Sequence, residues 1–148
     1  MLDETASPAD VPAPSTSATE SPRFVAYADT VFDRVRRLEW SRKPISPDRF
    51  EHAAAVTACA NFRLGGHADW RLPTREELQS LVDYDRYNPA INRELFHDTP
   101  ASDFWSSSPG ASVPACAWIV FFYYGHVGLL RRDHGAFVRA VRSVPASQ

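Results

Sequence analysis

Residues 117–124 read AWIVFFYY, a run in which no polar face separates the apolar and aromatic side chains. In a β-strand, successive side chains point to opposite faces of the sheet, so both faces of this run would be apolar. Two alternatives follow: the strand is buried on both sides, or one face packs on the core while the other displays aromatic side chains. Turn-forming residues at 123–126, and a following segment GLLRRDHGA without strand or helix period, favour display.

The length and composition of the chain fit one globular domain. Its 148 residues are 44% hydrophobic and 23% charged, which is enough for one core but not for two. A net charge of −2 gives no reason to expect a nucleic-acid partner, and no apolar run approaches the roughly 20 residues that a membrane span needs. The acidic, polar N-terminus is unlike a secretory signal. The sequence as written therefore predicts a cytoplasmic protein, or one displayed through a carrier.

Composition also divides the chain into a tail and a domain. Residues 1–22 are rich in Ala, Ser, Thr and Pro and nearly lack large apolar side chains, which predicts a disordered tail or linker. The folded domain is expected over residues 23–145. Short apolar runs bounded by turn residues predict its strands at 24–27, 31–35, 37–40 and 104–107.

Two helices are predicted between the early and the late strands. The first begins at residues 46–47, a capping serine followed by proline, and ends at the glycine pair 65–66. The second begins at a T-x-x-E capping box formed by Thr74 and Glu77 and ends near Asp83. Strands, two helices, a loop-rich middle and further strands indicate an α+β fold. Spacing by four residues predicts one apolar stripe on the first helix, made of Phe50, Ala54, Ala58 and Phe62.

The sequence lacks the common motifs of catalysis and cofactor binding. It contains no P-loop, no G-x-G-x-x-G, no H-E-x-x-H and no G-x-S-x-G. Cys59 and Cys116 form no C-x-x-C pair and the five histidines are scattered, so neither a metal site nor a reactive thiol pair is predicted. We expect two free, semi-buried thiols, with a disulfide between them left open. The sequence therefore predicts no enzyme activity and no cofactor.

Five ordered blocks carry a resemblance to a known family: WRLPTREELQSLVD, RYNPAIN, FWSSSP, AWxVxFxxGxV and FVRAVR. They resemble the DUF1566 family, which is also named for the C-terminal domain of a Legionella collagen-like adhesin, and the match runs from about Val31 to Arg142. The resemblance implies a loop-rich C-type-lectin-like fold with two helices and short, mostly antiparallel strands, and a role in binding. Arg37 stands where the family has a turn glycine, so we expect a differently shaped first hairpin.

The departures from the family pattern fall where ordinary members carry asparagine. This looks like the variable region of a diversity-generating retroelement target protein, in which randomised template adenines turn Asn codons into many residue types. Trp, Glu, Gln, Met and Lys cannot arise in this way, and none occurs at these positions. The resemblance implies a ligand-facing surface made of Ile119, Phe121, Tyr123, Tyr124, His126, Gly128, Leu129, Leu130, Arg131, Asp133, His134, Gly135 and Ala136.

Such a surface requires a core that is built from other residues. The family framework positions in the same stretch are expected to hold the scaffold: Trp118, Val120, Phe122, Gly125, Val127, Val138 and Arg139. Burial is also expected at apolar residues elsewhere: Phe50, Phe62, Trp70, Leu72, Leu78, Leu81 and Phe104.

Together these features predict a ligand-binding protein with a hypervariable surface on a C-type-lectin-like scaffold, the variable protein of a diversity-generating retroelement. Its ligand is expected to be a protein, because exposed Tyr, Phe and Leu suit macromolecular contacts better than sugar recognition. The alternative is an adhesin-type module binding sulfated glycosaminoglycan through Arg131, Arg132, Arg139 and Arg142. Neither the identity of the ligand nor the oligomeric state follows from the sequence.

Overall fold

The structure, a computed structural model, describes residues 22–145. All of the predicted tail except Pro22 lies outside these residues. The described part contains two helices and seven short strands that pair antiparallel in two sheets, which confirms the predicted α+β class. In chain order the elements are β1 (Phe24–Ala26), β2 (Thr30–Asp33), β3 (Leu38–Ser41), α1 (His52–Ala60), α2 (Arg75–Gln79), β4 (Asp103–Pro109), β5 (Cys116–Phe121), β6 (His126–Arg131) and β7 (Val141–Ser143).

The two sheets join early and late parts of the chain. One has the strand order β1-β2-β3-β7, so the last strand pairs with the third, with Trp40 opposite Val141. The other is the meander β4-β5-β6, with β5 in the middle. α2 contacts β4 and β5, and α1 contacts β4, so both helices lie against the second sheet. Within residues 22–145, neither helix is long and apolar enough to cross a membrane.

The hydrophobic core has two parts, and β5 lies between them. Val120 packs in the first part with Trp40 and Phe104. Ile119, the next residue back along the strand, packs in the second part with Trp105. Both faces of β5 are therefore covered, as in a strand buried on two sides. The interpretation that one face of this run is displayed was wrong for the body of β5.

The first hairpin keeps an arginine where a turn glycine was expected. β2 and β3 pair up to Asp33 opposite Leu38, and Arg37 adopts a φ of 57°, in the left-handed region that glycine enters without steric cost. The Arg37 guanidinium donates to the carbonyl oxygen of Pro145 (2.6 Å) and lies over the Phe32 ring. Arg37 thus takes a backbone conformation that is typical of a turn glycine.

Helix α1 begins later than predicted and buries a different face. The backbone of Phe50 is hydrogen-bonded in both directions to Ala136 (2.8 and 3.0 Å), which holds it extended and prevents an earlier helix start. Ser46 accepts from the N–H of Asp48 (3.1 Å) in a local turn instead of capping the helix. The predicted stripe was therefore wrong. The buried side chains of α1 are those of His52, Ala55 and Cys59.

Helix α2 confirms the predicted capping box. The Thr74 hydroxyl accepts from the N–H of Glu77 (3.2 Å), and the Glu77 carboxylate accepts from the N–H of Thr74 (2.9 Å). The same carboxylate pairs with Arg71 (2.7 Å). Burial by itself would raise the pKa of Glu77, but the bonds with Arg71 and Thr74 and the charge of Arg71 together outweigh burial and lower it. The helix ends at Gln79 rather than near Asp83, because the N–H of Asp83 donates to the carbonyl oxygen of Ala90 (2.8 Å) and draws the chain away.

Most of the predicted core residues are buried, including Trp70, Leu72, Leu78, Leu81 and Phe104. Phe50, Phe62 and Trp118 are only half-buried, and of these Phe50 and Phe62 pack against the second part of the core. Cys59 and Cys116 are free thiols, as expected. Cys59 is fully buried, and this burial raises its pKa to about 12, so its thiol stays protonated at neutral pH.

Candidate binding surface

The turn between β5 and β6 is fixed by a glycine. Residues 122–125 connect Phe121 to its cross-strand partner His126, and the N–H of Gly125 donates to the carbonyl oxygen of Phe121 (2.8 Å). Gly125 has a φ of 92°, which disfavours any other residue. A Cβ atom at Gly125 would also lie 2.5 Å from Cγ1 of Val82. The turn therefore packs directly on the segment that follows α2.

A loop from that segment is hydrogen-bonded to the turn. The N–H of Asn88 donates to the carbonyl oxygen of Tyr123 (2.7 Å), and the N–H of Ala90 donates to that of Phe122 (2.6 Å). Asn88 lies in the left-handed region with a φ of 52°. These bonds hold residues 84–90 against the turn, so the side chains of loop and turn share one surface.

Aromatic side chains from both segments form a continuous cluster. The rings of Tyr87 and Tyr124 are nearly parallel, with centroids 6.3 Å apart. Tyr124 also contacts Tyr123 (4.5 Å) and His126 (5.7 Å), and Tyr123 contacts Phe121 (6.0 Å). The ring of Tyr84 lies beside Gly125 in the same region. We call this set the aromatic surface; its members are Tyr84, Tyr87, Phe121, Tyr123, Tyr124 and His126.

The aromatic surface is open to solvent at its outer members. Tyr84, Tyr87, Tyr124 and His126 are exposed, whereas Tyr123 and Phe121 are half-buried. Phe121 packs on the second part of the core, which anchors the inner end of the cluster. The result is an aromatic cluster that is anchored at its inner end and exposed to solvent at its outer rings.

The structure removes two residues from the predicted surface. Ile119 is only 7% exposed, because its side chain points into the second part of the core. Ala136 is fully buried where its backbone pairs with Phe50. The structure therefore places these two residues inside the fold and not on the exposed surface. For the other eleven residues, ligand contact stays a prediction.

Those eleven residues occupy two areas rather than one. β6 runs the length of five residue steps, or about 17 Å, between the turn and the following loop. Phe121, Tyr123, Tyr124 and His126 lie at the turn end. The far end and the loop carry Arg131, Asp133, His134 and Gly135, and Gly128, Leu129 and Leu130 lie between the two ends.

Residues 128–131, the first part of the segment GLLRRDHGA that was predicted to have no strand or helix period, belong to strand β6. Each of its residues has a partner on β5, from His126 opposite Phe121 to Arg131 opposite Cys116. Backbone pairing, rather than a side-chain pattern, therefore sets its conformation. Among the predicted framework residues, Val127 in this strand is exposed, so the prediction that it lies in the core was wrong.

Two glycines of the predicted surface differ in how much space surrounds them. A Cβ atom at Gly128 would have no neighbour within 4 Å. A Cβ atom at Gly135 would lie 3.0 Å from Cβ of Arg49, so a larger residue there must displace that side chain. Free exchange of side chains is sterically easy at the first position and restricted at the second.

Arg139 is buried, which removes it from the predicted glycan site. Its guanidinium donates to the carbonyl oxygens of Ser41 and Arg42 (both 2.7 Å) and to the hydroxyl of Thr99 (2.6 Å). Burial lowers the pKa of Arg139 to about 9, and the bonded group remains a cation at neutral pH. It therefore holds the end of β3 to the 96–103 region and does not face a ligand.

Two further arginines of the predicted glycan site form ion pairs with carboxylates of the same chain. Arg142 is buried and pairs with Glu39 (2.6 Å) and Asp69 (2.7 Å). Arg131 is exposed but pairs with Asp133 (3.0 Å), and this bond lowers the pKa of Asp133. Because two of the four predicted arginines are buried, the set does not form one exposed cationic site.

Arg132, the fourth arginine, is half-buried and contacts the buried side chain of His52. Its guanidinium lies 3.0 Å from Nδ1 of His52, while Nε2 of His52 lies 2.9 Å from the carbonyl oxygen of Ser106. A guanidinium can only donate and a carbonyl can only accept, so Nε2 carries the proton and Nδ1 accepts. Burial is the main cause that lowers the pKa of His52, and the charge of Arg132 adds to it. Within residues 22–145, no three metal-ligating side chains come together as a candidate ion site.

Sequence reasoning missed the part of the surface that comes from the 84–90 loop. Tyr84 directly precedes the segment DRYNP and Tyr87 lies within it, in a region that was predicted only as loop and as a family block. Two tyrosines in an otherwise polar loop are a signal for exposed aromatic side chains. Their meeting with Tyr124 depends on hydrogen bonds between distant segments, which no local pattern shows.

A family model described as the Lcl C-terminal domain matches residues 29–142. The match covers most of the chain, including β2 through the first part of β7, the aromatic surface and the whole of β6. It begins two residues before the start expected from the five sequence blocks and ends at the expected residue. None of the curated proteins matches the chain.

Proposed function

The chain belongs to the Lcl C-terminal domain family, and we propose that it is a ligand-binding module that contacts a protein partner through its aromatic surface. The observation that carries the proposal is the stacked, solvent-facing cluster around Tyr124. It joins the 84–90 loop to the β5–β6 turn.

Exposed tyrosines are suited to protein recognition. A tyrosine ring supplies a large contact area with few rotatable bonds, and its hydroxyl can form a hydrogen bond at the edge of an interface. The backbone bonds from Asn88 and Ala90 to the turn fix the positions of these rings before a partner arrives. Such preorganisation lowers the entropy that is lost on binding.

The proposal is one of binding without catalysis. The aromatic surface consists of rings that stack on one another and provide contact area. The buried histidine, His52, has both ring nitrogens engaged by Ser106 and Arg132, which gives it a structural role. A protein ligand is favoured over a sulfated glycan because Arg139 and Arg142 are buried.

We further propose that the scaffold is C-type-lectin-like and that this is the variable protein of a diversity-generating retroelement. Two things support this: the substituted asparagine positions are accessible at eleven places, and the framework residues Val120, Phe122 and Val138 are buried. The open space around Gly128 also fits a position where many residues are tolerated.

The sequence of the coding locus tests this proposal. A neighbouring reverse transcriptase gene and a near-copy of the 3′ end that differs only at adenines are expected, and a locus without them would contradict it.

A pull-down with matched variants tests the binding proposal. The full chain and the double variant Tyr123→Ser/Tyr124→Ser are used as baits, with recovered proteins identified by mass spectrometry. Tyr27→Ser is the control. Tyr27 is as exposed as Tyr124 (55% and 54%), but it directly follows β1, at the edge of the other sheet. Proteins recovered by the wild type and by Tyr27→Ser are expected to be lost with the double variant. If the double variant recovers the same proteins in the same amounts, the aromatic surface is not the binding site.

A further inference from the structure

Strand β6 presents free backbone hydrogen-bonding groups along its outer edge. The N–H of Arg132 donates to the carbonyl oxygen of Ala115 (2.9 Å), and the β5–β6 register continues from this pair without a break. In an antiparallel ladder, hydrogen-bonded and non-bonded pairs alternate. The backbone groups of Leu130 and Gly128 therefore face β5, whereas those of Val127 and Leu129 face away from it. No other described residue accepts from the N–H groups of Val127 and Leu129.

The other outer strands of the two sheets do not offer a comparable free edge. The outer side of β4 is occupied, because Trp105 donates to Phe137 (3.0 Å) and Ser107 donates to Pro73 (2.7 Å). The outer side of β7 is occupied by Arg71, which exchanges two backbone bonds with Val141 (2.8 and 3.0 Å). β1 has only three residues, whereas β6 has six. β6 is therefore the longest strand edge left free among residues 22–145.

The side chains of β6 do not protect this edge. Proteins usually guard a free strand edge with lysine, proline, a bulge or an inward-pointing charge. The one charged residue in β6 is Arg131 at its last position, which is paired with Asp133; residues 126–130, HVGLL, have none of these features, and their pairing with β5 shows no register shift. Val127 is 37% exposed and Leu129 is 41% exposed on one face, with the open position Gly128 between them.

We propose that β6 binds an extended segment of the protein ligand by strand addition. This inference rests on the proposed function and names the form that the partner takes. Only an extended backbone supplies donors and acceptors at the spacing of those on Val127 and Leu129. The bound segment carries apolar side chains opposite these two residues and a large side chain opposite Gly128, where it fills the open space.

A second copy of this chain fits the edge less well. Two copies pairing around Gly128 would place two glycines opposite each other and leave the space between them empty. Two copies pairing around Leu129 would place the charged Arg131, already bound to Asp133, opposite the apolar Val127. A strand from another protein with a large residue opposite Gly128 fills that space and places no charge opposite Val127. It therefore fits the edge better than either arrangement of two copies.

Amide exchange with a selected peptide tests this inference. The full chain is used to select binders from a displayed library of random linear peptides of about ten residues, and the strongest peptide is then the probe. Its complex is expected to slow exchange of the Val127 and Leu129 amides by about tenfold or more. The amides of Gly128 and Leu130, already bonded to β5, should change little and serve as the internal control.

Variants separate backbone pairing from loss of the fold. Leu129→Pro removes an outward N–H, and Leu129→Lys keeps that N–H but adds an edge charge. Each is expected to weaken peptide binding about tenfold or more. Val113→Lys is the control, since Val113 is 40% exposed and lies outside β6. Circular dichroism identifies a variant that fails to fold. If one of the two Leu129 variants is unfolded, the peptide affinity of the other Leu129 variant tests the inference.

Three outcomes would overturn the inference. They are a peptide complex without protection at Val127 and Leu129, a library that returns no linear binder, and a dimer of the free protein that protects the same amides.

The pull-down partner distinguishes failure of this inference from failure of the proposed function. If Leu129→Lys retains that partner while Tyr123→Ser/Tyr124→Ser loses it, strand addition is wrong and the aromatic surface stands. If the tyrosine variant retains it, the proposed function fails.

Discussion

Tyr87 and Tyr124 face each other across a loop–turn junction, with ring planes 13° apart and centroids 6.3 Å apart. One ring comes from the segment after α2 and the other from the turn after β5, so a tertiary contact creates the surface. Two backbone hydrogen bonds, to the carbonyl oxygens of Phe122 and Tyr123, hold that contact in place. The candidate site is therefore only as stable as the packing of the turn.

Replacing Gly125 should loosen this junction. Gly125→Ala places a Cβ 2.5 Å from Val82 in a residue with a φ of 92°. We expect the free energy of unfolding, measured by urea denaturation, to fall by about 2–3 kcal/mol. Gly128→Ala is the matched control, since its Cβ meets nothing within 4 Å, and it should change stability by less than about 0.5 kcal/mol. Equal effects of the two changes would show that the turn is not constrained.

Two residues of the predicted surface should differ in their tolerance of asparagine. Ile119 lies in the second part of the core, so Ile119→Asn should lower the free energy of unfolding by about 2–4 kcal/mol. Tyr124 is exposed, so Tyr124→Asn should change it by less than about 1 kcal/mol. Thermal and urea unfolding of the two single variants measure this. If Ile119→Asn left the free energy of unfolding unchanged, Ile119 would not be part of the core.

Acidification should destabilise the protein through His52. Burial lowers the pKa of His52 below its ordinary value of 6.5, so the unfolded chain binds this proton more readily than the folded one. The free energy of unfolding should therefore be highest above pH about 6.5 and fall as the pH drops through that value towards the lower folded pKa. Protonation would also place a cation against Arg132 and remove the acceptor at Nδ1. Urea midpoints between pH 7.5 and pH 5, values chosen to span that transition, should fall more steeply for the wild type than for His52→Gln. Parallel profiles would exclude His52 as the source.

Arg139 and Arg131 should differ in their contribution to stability. Arg139→Met leaves three oxygens, on Ser41, Arg42 and Thr99, without their donor. We expect a loss of about 3–5 kcal/mol in the free energy of unfolding. Arg131→Met breaks only a solvent-exposed pair with Asp133 and should leave the urea midpoint close to that of the wild type. The urea midpoints of the two variants decide, and similar losses would contradict the structural role given to Arg139.

Local sequence signals predicted the parts of the fold that local contacts determine. The capping box of α2 needs only Thr74 and Glu77, three residues apart, and it was predicted correctly. The start of α1 was not, because pairing between Phe50 and Ala136 decides where the helix begins. β6 was missed for the same reason: its partner strand, not its own residue pattern, makes it a strand.

Only part of the candidate site was predicted, because local signals identify a turn but not the contacts between distant segments. Tyr123, Tyr124 and His126 follow an apolar strand at a turn, and the turn signal correctly placed Tyr124 and His126 at the surface. Ile119 was misplaced because alternation alone cannot tell whether the second face of β5 meets solvent or another part of the core. Tyr84 and Tyr87 join the site through bonds to a turn far along the chain, which no periodicity shows.

The affinity of the purified pull-down partner for single tyrosine variants tests the central claim most directly. Tyr87 is the residue to change, because it belongs to the surface only through the loop–turn contact with Tyr124. Calorimetric titration of the partner into Tyr87→Ser and Tyr124→Ser should show a loss of affinity of about tenfold or more for each, which corresponds to about 1.4 kcal/mol. The control Tyr27→Ser should bind like the wild type. Unchanged affinity in both surface variants would contradict the account.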